Sequence, residues 1–205
     1  MRRVASCQLP VVSLKKRILS FKKTPVLMGL LLVLCVSLMG FLYIQRPFST
    51  KLASFATDLT ARSPAQAHNI RLAASKLSDF ILKPGEIFSF NEKIGPYSQE
   101  SGYQPERSYL YHQTVLSFGG GVCQVSSTLY NAVRDAGLEV LERVPHSADV
   151  KSVPPGWDAT LAYGVADLKF KNNGDSPIKL QVAIAQNQLK IEIWGKDRHE
   201  HSQKL

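Results

Sequence analysis

Val26 to Ile44 runs for 19 residues without a charge, VLMGLLLVLCVSLMGFLYI, and this stretch divides the chain. A helix of that length is roughly 28 Å long, close to the hydrocarbon thickness of a bilayer. Seven basic residues (Arg2, Arg3, Lys15, Lys16, Arg17, Lys22 and Lys23) and no acidic one precede it. Positive charge on that side holds an N-terminus in the cytoplasm, so the pattern predicts one transmembrane helix with residues 46–205 beyond the membrane. A cleaved signal peptide is the alternative. The apolar stretch is long for one, and Ser37-Leu38-Met39-Gly40 is a poor small-x-small cleavage site, which favours an uncleaved signal anchor.

The same division explains the charge. The whole chain carries +9, but residues 46–205 hold 18 basic against 16 acidic residues, a net of +2. The basic-patch argument for nucleic acid therefore fails for the main domain. The cysteines divide in the same way. Cys7 falls on the cytoplasmic side and Cys35 within the expected span, so Cys123 is the one thiol of the exported domain. A thiol without a partner in its own domain is buried and inert, paired with another molecule, or reactive.

The expected organisation is a basic cytoplasmic segment (1–25), a signal anchor (26–44), a stem and lead-in strand (45–62), one compact domain (63–196) and a polar tail (197–205). Ser63-Pro64 is an N-cap followed by proline at the first helical position. Ile70, Ala73, Ala74, Leu77, Phe80 and Ile81 then share a face, which predicts a helix over 64–82. Pro84-Gly85 ends it. Glu86 to Phe90 and Ser108 to Ser117 suit strands. Gly119-Gly120-Gly121 opens a second helix carrying Val122, Val125, Leu129, Ala132, Val133 and Ala136, and Gly137 stops it. Strands are expected at 138–144 and 160–171, then a hairpin from 177–185 and 188–194. Helix, strands, helix and further strands make an α+β fold, its mostly antiparallel sheet packed against two main helices.

Cys123 falls in the first turn of the second helix. Unpaired backbone N–H groups and the positive end of the helix dipole favour a thiolate there. The glycines admit a substrate carbonyl to the backbone, where N–H groups of Gly120, Gly121 and Val122 are candidate oxyanion donors. A small apolar cysteine packed behind a tight turn is the competing explanation. A nucleophile needs a base, and the base an orienting partner. Among His68, His112, His146, His199 and His201, the best placed is His146, after Pro145 at a strand end, with His112 second. Asp158, twelve residues on in Pro154-Pro-Gly-Trp-Asp-Ala-Thr160, is the candidate orienting carboxylate, with Asp149 and Asp167 competing. The chain has no HExxH or CxxC, which argues against a metal site, and no P-loop or GxGxxG. Glu86, Glu92 and Glu100 show no spacing that pairs them across a glycan cleft.

Residues Ser63 to Lys196 resemble the VanW-like family. The matching segments are Pro84-Gly-Glu-Ile-Phe-Ser-Phe-Asn91, Gly119-Gly-Gly-Val-Cys-Gln-Val-Ser-Ser-Thr-Leu-Tyr-Asn131, Pro145-His-Ser147, Pro154-Pro-Gly-Trp-Asp-Ala-Thr160 and Tyr163-Gly164 through Asp167 to Asn173. The resemblance implies a bacterial envelope protein acting on peptidoglycan stem peptides as an L,D-transpeptidase, with Cys123 as nucleophile and no cofactor. Members with a longer chain carry an extra peptidoglycan-binding region where this sequence has a short stem. The alternatives are a non-catalytic envelope module that binds cell wall or assists a partner, and a cysteine peptidase that hydrolyses the same peptides.

Overall fold

The computed structural model describes residues 25–44, 47–110 and 113–196. The described residues up to Leu42 and those from Tyr43 onward form separate compact units. In the first, the uncharged stretch is helix α1 (Pro25–Ile44). Side chains are described in it only from Met28 to Gly40, roughly 20 Å of helix against a hydrocarbon core of about 30 Å. Among the described residues no helix is long and apolar enough to cross a membrane, so the expected span finds no support there.

The second unit is a mixed α/β domain whose strands all pair antiparallel. Strand β1 (Thr50–Asp58) is followed by α2 (Pro64–Leu77), β2 (Ile81–Leu82), β3 (Ile87–Ser89) and α3 (Phe90–Ile94). Then come β4 (Pro105–Leu110), β5 (Gln113–Phe118), α4 (Val122–Asp135), β6 (Glu139–Glu142), β7 (Lys169–Lys171), β8 (Ile178–Ala185) and β9 (Gln188–Gly195). They form three sheets, β1-β9-β8-β2, β3-β7-β6 and the hairpin β4-β5. The β8–β9 hairpin lies within a residue of its expected ends, and Gln186 and Asn187 both take positive φ, as a tight two-residue turn requires.

Helix α2 starts as its sequence dictates. The Ser63 hydroxyl accepts from Gln66 N–H, the Gln66 side chain accepts from Ser63 N–H, and Pro64 follows the cap. It stops at Leu77 rather than 82, because Ser78 is extended and Asp79 is left-handed at φ 60°. Phe80 and Ile81, expected on the helical face, belong instead to the edge of the sheet, where Leu180 N–H donates to Phe80 O. The expected strand over Ser108–Ser117 is two strands, β4 and β5, with no glycine or proline between them to signal the reversal. The expected strand over 160–171 is mostly loop. Ala162 and Ala166 exchange backbone hydrogen bonds around Gly164 at φ 77°, leaving only Lys169–Lys171 in the sheet.

Helix α4 runs through the centre of the domain and packs on β1, β9 and α2. Its apolar face, Val122, Val125, Leu129, Ala132 and Val133, is buried with Ile70, Leu77, Phe88, Phe170, Leu180 and Ile191. Leu129→Ala is expected to cost about 2–5 kcal/mol by lost burial and a residual cavity. Urea unfolding of the two proteins measures it, and a midpoint unchanged within error would refute this placement of the core.

Candidate active site

The turn into α4 depends on glycines. Gly121 is the N-cap at φ 97°, with no side-chain cap, and a Cβ there would meet Gln66 Cβ and O at 3.3 Å. A Cβ on Gly120 would fall 2.8 Å from Glu106 Cβ and 3.0 Å from Arg107 O. The start of α4 is therefore wedged between α2 and β4, and a side chain on either glycine would push it out. Cys123 sits in the next turn, half-buried, its Sγ 4.0 Å from Leu161 O.

His146 lines the same cleft as Cys123, from the segment after β6. Its Nδ1 lies 2.7 Å from Asp158 Oδ2, and its backbone N–H donates to the same oxygen at 2.5 Å. Arg143 holds the rest of the aspartate: Nη2 donates to Oδ1 at 3.0 Å and Nε to the Asp158 carbonyl at 2.6 Å. An ionised carboxylate only accepts, so the neutral ring carries its proton on Nδ1 and leaves Nε2 for the thiol. Burial pushes the His146 imidazole down, but Cys123 and then Asp158 outweigh it and raise it above its ordinary value. Burial likewise pushes the Asp158 carboxyl up, and the amide and ring of His146 overcome this to hold it below its usual range. His146 thus stands at the cleft of the sulfur as a candidate base, with its carboxylate partner as the orienting group.

What fixes the two halves of this site is a row of buried polar residues on α4. Ser127 Oγ donates to Cys123 O at 2.7 Å and accepts from Ala159 N–H at 3.0 Å. Ser126 Oγ donates to Ala159 O at 2.5 Å, and Asn131 Nδ2 to Trp157 O at 2.7 Å. The segment 157–159, which carries Asp158, is thus bonded along the helix that carries Cys123. Around the helix, Gln124 Nε2 donates to Thr57 Oγ1 and Asp58 O, and the hydroxyls of Thr57 and Thr128 pair at 2.8 Å, tying α4 to the end of β1.

Cys123 and His146 line an open cleft of about 900 Å³ with Arg62, Tyr97, Arg107, Phe118 and Tyr163 among its walls. Tyr97 donates to Asn91 Oδ1 at 2.9 Å, and burial, with Cys123 next, pushes its phenol well above its usual range.

Of the competing carboxylates, Asp149 is exposed at the cleft wall, and Asp167 is buried elsewhere, accepting from Ser89 Oγ and Asn91 N–H. His68 bonds Gly102 O, while His112, His199 and His201 lie outside the described residues. None of Glu86, Glu92 and Glu100 lines the cleft. One expected oxyanion donor needs correction: Val122 N–H already donates to Gly119 O at 3.0 Å. Sequence reasoning missed Arg143, Ser126, Ser127 and Asn131. The signal was present: Gln124, Ser126, Ser127, Thr128 and Asn131 are too many polar residues for the core side of a helix unless each has a partner.

The family described as VanW like protein matches residues 65–194. The chain belongs to the VanW-like family. A Bacillus subtilis (strain 168) protein, "Uncharacterized protein YoaR", is 34% identical over 147 residues, covering 72% of this chain and 48% of that protein. "Vancomycin B-type resistance protein VanW" of Enterococcus faecalis (strain ATCC 700802 / V583) is 29% identical over 134 residues, 62% of this chain and 48% of that protein. The chain spans about half the length of these curated relatives. No solved structure matches. The matched VanW-like segment contains Cys123, His146, Asp158 and the polar row of α4.

Two outcomes follow from this geometry. Ser127→Ala leaves the buried Ala159 N–H without its acceptor, which is expected to cost about 1–3 kcal/mol and to speed amide exchange at Ala159; unchanged protection there would refute the tether. Asp158→Asn tests the charge. Because the folded state binds the Asp158 proton less readily than the unfolded chain, the carboxylate stabilises fully above the ordinary value of 3.8 and loses this as pH falls through its lower folded value. The stability gap between wild type and Asp158→Asn, measured in urea, is therefore expected at pH 7 and should narrow in strong acid. A gap constant across that range would contradict the assignment.

Proposed function

We propose that this protein is a cysteine acyltransferase of the cell envelope, an L,D-transpeptidase that cross-links peptidoglycan stem peptides. The observation that carries the reading is that Cys123, at a helix start, and His146 line one cleft, with Asp158 from a third stretch of sequence bonded to the His146 ring. The cell-wall setting is what the VanW-like family resemblance implies, and a relative named for vancomycin resistance agrees with it.

In this mechanism the Cys123 sulfur attacks the carbonyl carbon joining an L-centre to a D-residue. The thiol proton moves to His146 Nε2, with Asp158 and Arg143 holding the ring in place. Of the backbone donors in the first turn, Val122 and Gln124 are engaged with Gly119 O and Gly121 O. That leaves the Cys123 N–H, with Gly120 and Gly121 before it, for the developing oxyanion. The C–N bond breaks, His146 gives its proton to the leaving amine, and a thioester remains. An amine of a second stem then attacks the thioester carbon and gives its proton to His146. The C–S bond breaks and the proton returns to sulfur. Water in place of that amine makes the same site a peptidase. The residues present supply the whole proton path without a cofactor.

The location belongs to the same proposal: a cytoplasmic-membrane protein with its VanW-like domain outside. It rests on the uncharged run Val26–Ile44 behind seven basic residues, and on a helix whose apolar side chains, Leu31, Leu34 and Leu38 among them, are exposed on all sides.

Incubation with a disaccharide tetrapeptide is expected to add the mass of the acyl donor to the wild-type chain and nothing to Cys123→Ala, read by intact-protein mass. A second stem peptide should discharge that adduct into a cross-linked product. A folded wild type that forms neither adduct nor product with several stems would leave the non-catalytic envelope module as the better reading.

A further inference from the structure

Arg62 stands apart from the charges around it. It sits in the short connection between β1 and α2, half-buried, and lines the same cleft as Cys123. Its Nε is buried without a hydrogen-bond partner among the described residues. Among the described residues no ion pair includes it; the pairs formed there are Lys51 with Glu192, Arg134 with Asp135, Arg143 with Asp158, His146 with Asp158, Lys169 with Glu142, Lys179 with Asp79 and Lys190 with Glu192. The neighbouring carboxylates have other partners. Asp58 accepts from the backbone N–H and hydroxyl of Thr60 and acts on Arg62 only at a distance. Glu106 accepts from the Ser63 hydroxyl and from Arg107 N–H.

A guanidinium drawn partly out of water normally has a carboxylate or phosphate against it, since desolvation without a partner is costly. Burial does pull the Arg62 guanidinium below its ordinary value, against the support of Asp58. The position is not accidental packing. Gln124, adjacent to Cys123, bonds Thr57 and Asp58 just before the Arg62 turn, and Gln66 just after it abuts Gly121. The backbone on each side of Arg62 is therefore pinned to the start of α4. The other charged groups of the cleft, Arg107, Lys151 and Asp149, are exposed and able to turn to solvent.

The geometry points to Arg62 as the residue that binds a substrate carboxylate beside Cys123, the C-terminal carboxylate of the residue that leaves. The assignment rests on the acyl-transfer reading for the identity of the peptide. The carboxylate site itself does not. Planar, two-toothed pairing of a guanidinium with a carboxylate selects a free C-terminus over an amide and fixes how the peptide lies across the thiol. It assigns the donor as a peptide ending one residue beyond the bond that breaks, and it excludes internal bonds of longer chains.

The test uses the full-length chain with Cys123→Ala, so that binding is read without turnover. N-acetyl-L-alanyl-D-alanine and its C-terminal amide are titrated by calorimetry or NMR. The acid is expected to bind about tenfold or more tightly than the amide. Arg62→Gln should bring the two within about twofold, and Arg62→Lys should restore part of the preference. Arg107→Gln and Lys151→Gln control for general charge and should leave the preference standing. Equal affinity for acid and amide, including no measurable binding of either, overturns the proposal, as does a preference that survives Arg62→Gln in a folded protein. A second measurement separates this from the acyl-transfer reading. Alkylation of the wild-type thiol by iodoacetate relative to iodoacetamide should fall severalfold in Arg62→Gln. Carboxylate-selective binding beside a thiol inert to both reagents would support the Arg62 site and count against the transferase.

Discussion

The Ser127 hydroxyl is the hinge of the whole arrangement. It donates to the Cys123 carbonyl and accepts from the Ala159 amide, so one oxygen couples the turn that bears the thiol to the segment that bears the carboxylate. The turn with the thiol is also held by its own packing, whereas the segment with the carboxylate depends on side-chain bonds of this kind. The stretch between β6 and β7 makes only isolated bridges, at Val144 with Thr160 and at Ala162 with Ala166. A loop of that kind is ordinarily the mobile part of a domain. Here Ser126, Ser127 and Asn131 give it the hydrogen bonds that a sheet would otherwise supply. Arg143 completes the support by gripping both the carboxylate and the carbonyl of Asp158.

This explains why the central helix mixes apolar and polar residues on buried faces. Val125, Leu129 and Val133 drive its burial, and the hydroxyl and amide residues between them would weaken it if unpaired. Their pairing makes the core both the source of stability and the mount of the site. The stacking of Arg134 on the Trp157 ring, 3.8 Å from its centre, and the approach of Phe55 to the same ring extend this coupling toward the surface.

How much of this was legible in the sequence depends on the element. The helix from Ser63-Pro64 and the helix after the glycines announce themselves through capping and periodicity, which are local signals. The β8–β9 hairpin does so through alternation about a short polar turn. The β4–β5 reversal does not, because Tyr111-His112 carries none of the usual turn residues. The loop from Thr160 to Asp167 resembles a strand in composition, yet Tyr163 and Val165 stand exposed and the segment makes only isolated bridges. At the site, Cys123, His146 and Asp158 could be singled out by residue type and position, and His146 was separable from four other histidines. That Asp158 and not Asp149 or Asp167 faces the ring could not be read, since it is decided by side chains of α4 more than twenty residues away in sequence.

The spacing of these groups has a consequence for the life of the thiol. Cys123 meets His146 and Asp158 only when chain on both sides has folded: β1 and α2 must already flank α4, and the segment to Thr160 must have docked on it. Contacts of such long sequence separation form late, after the entropy of closing the intervening loops has been overcome. An incompletely folded chain therefore lacks the cleft around Cys123. Assembly of the domain is thus what brings the sulfur and the ring to one cleft, with the carboxylate behind them.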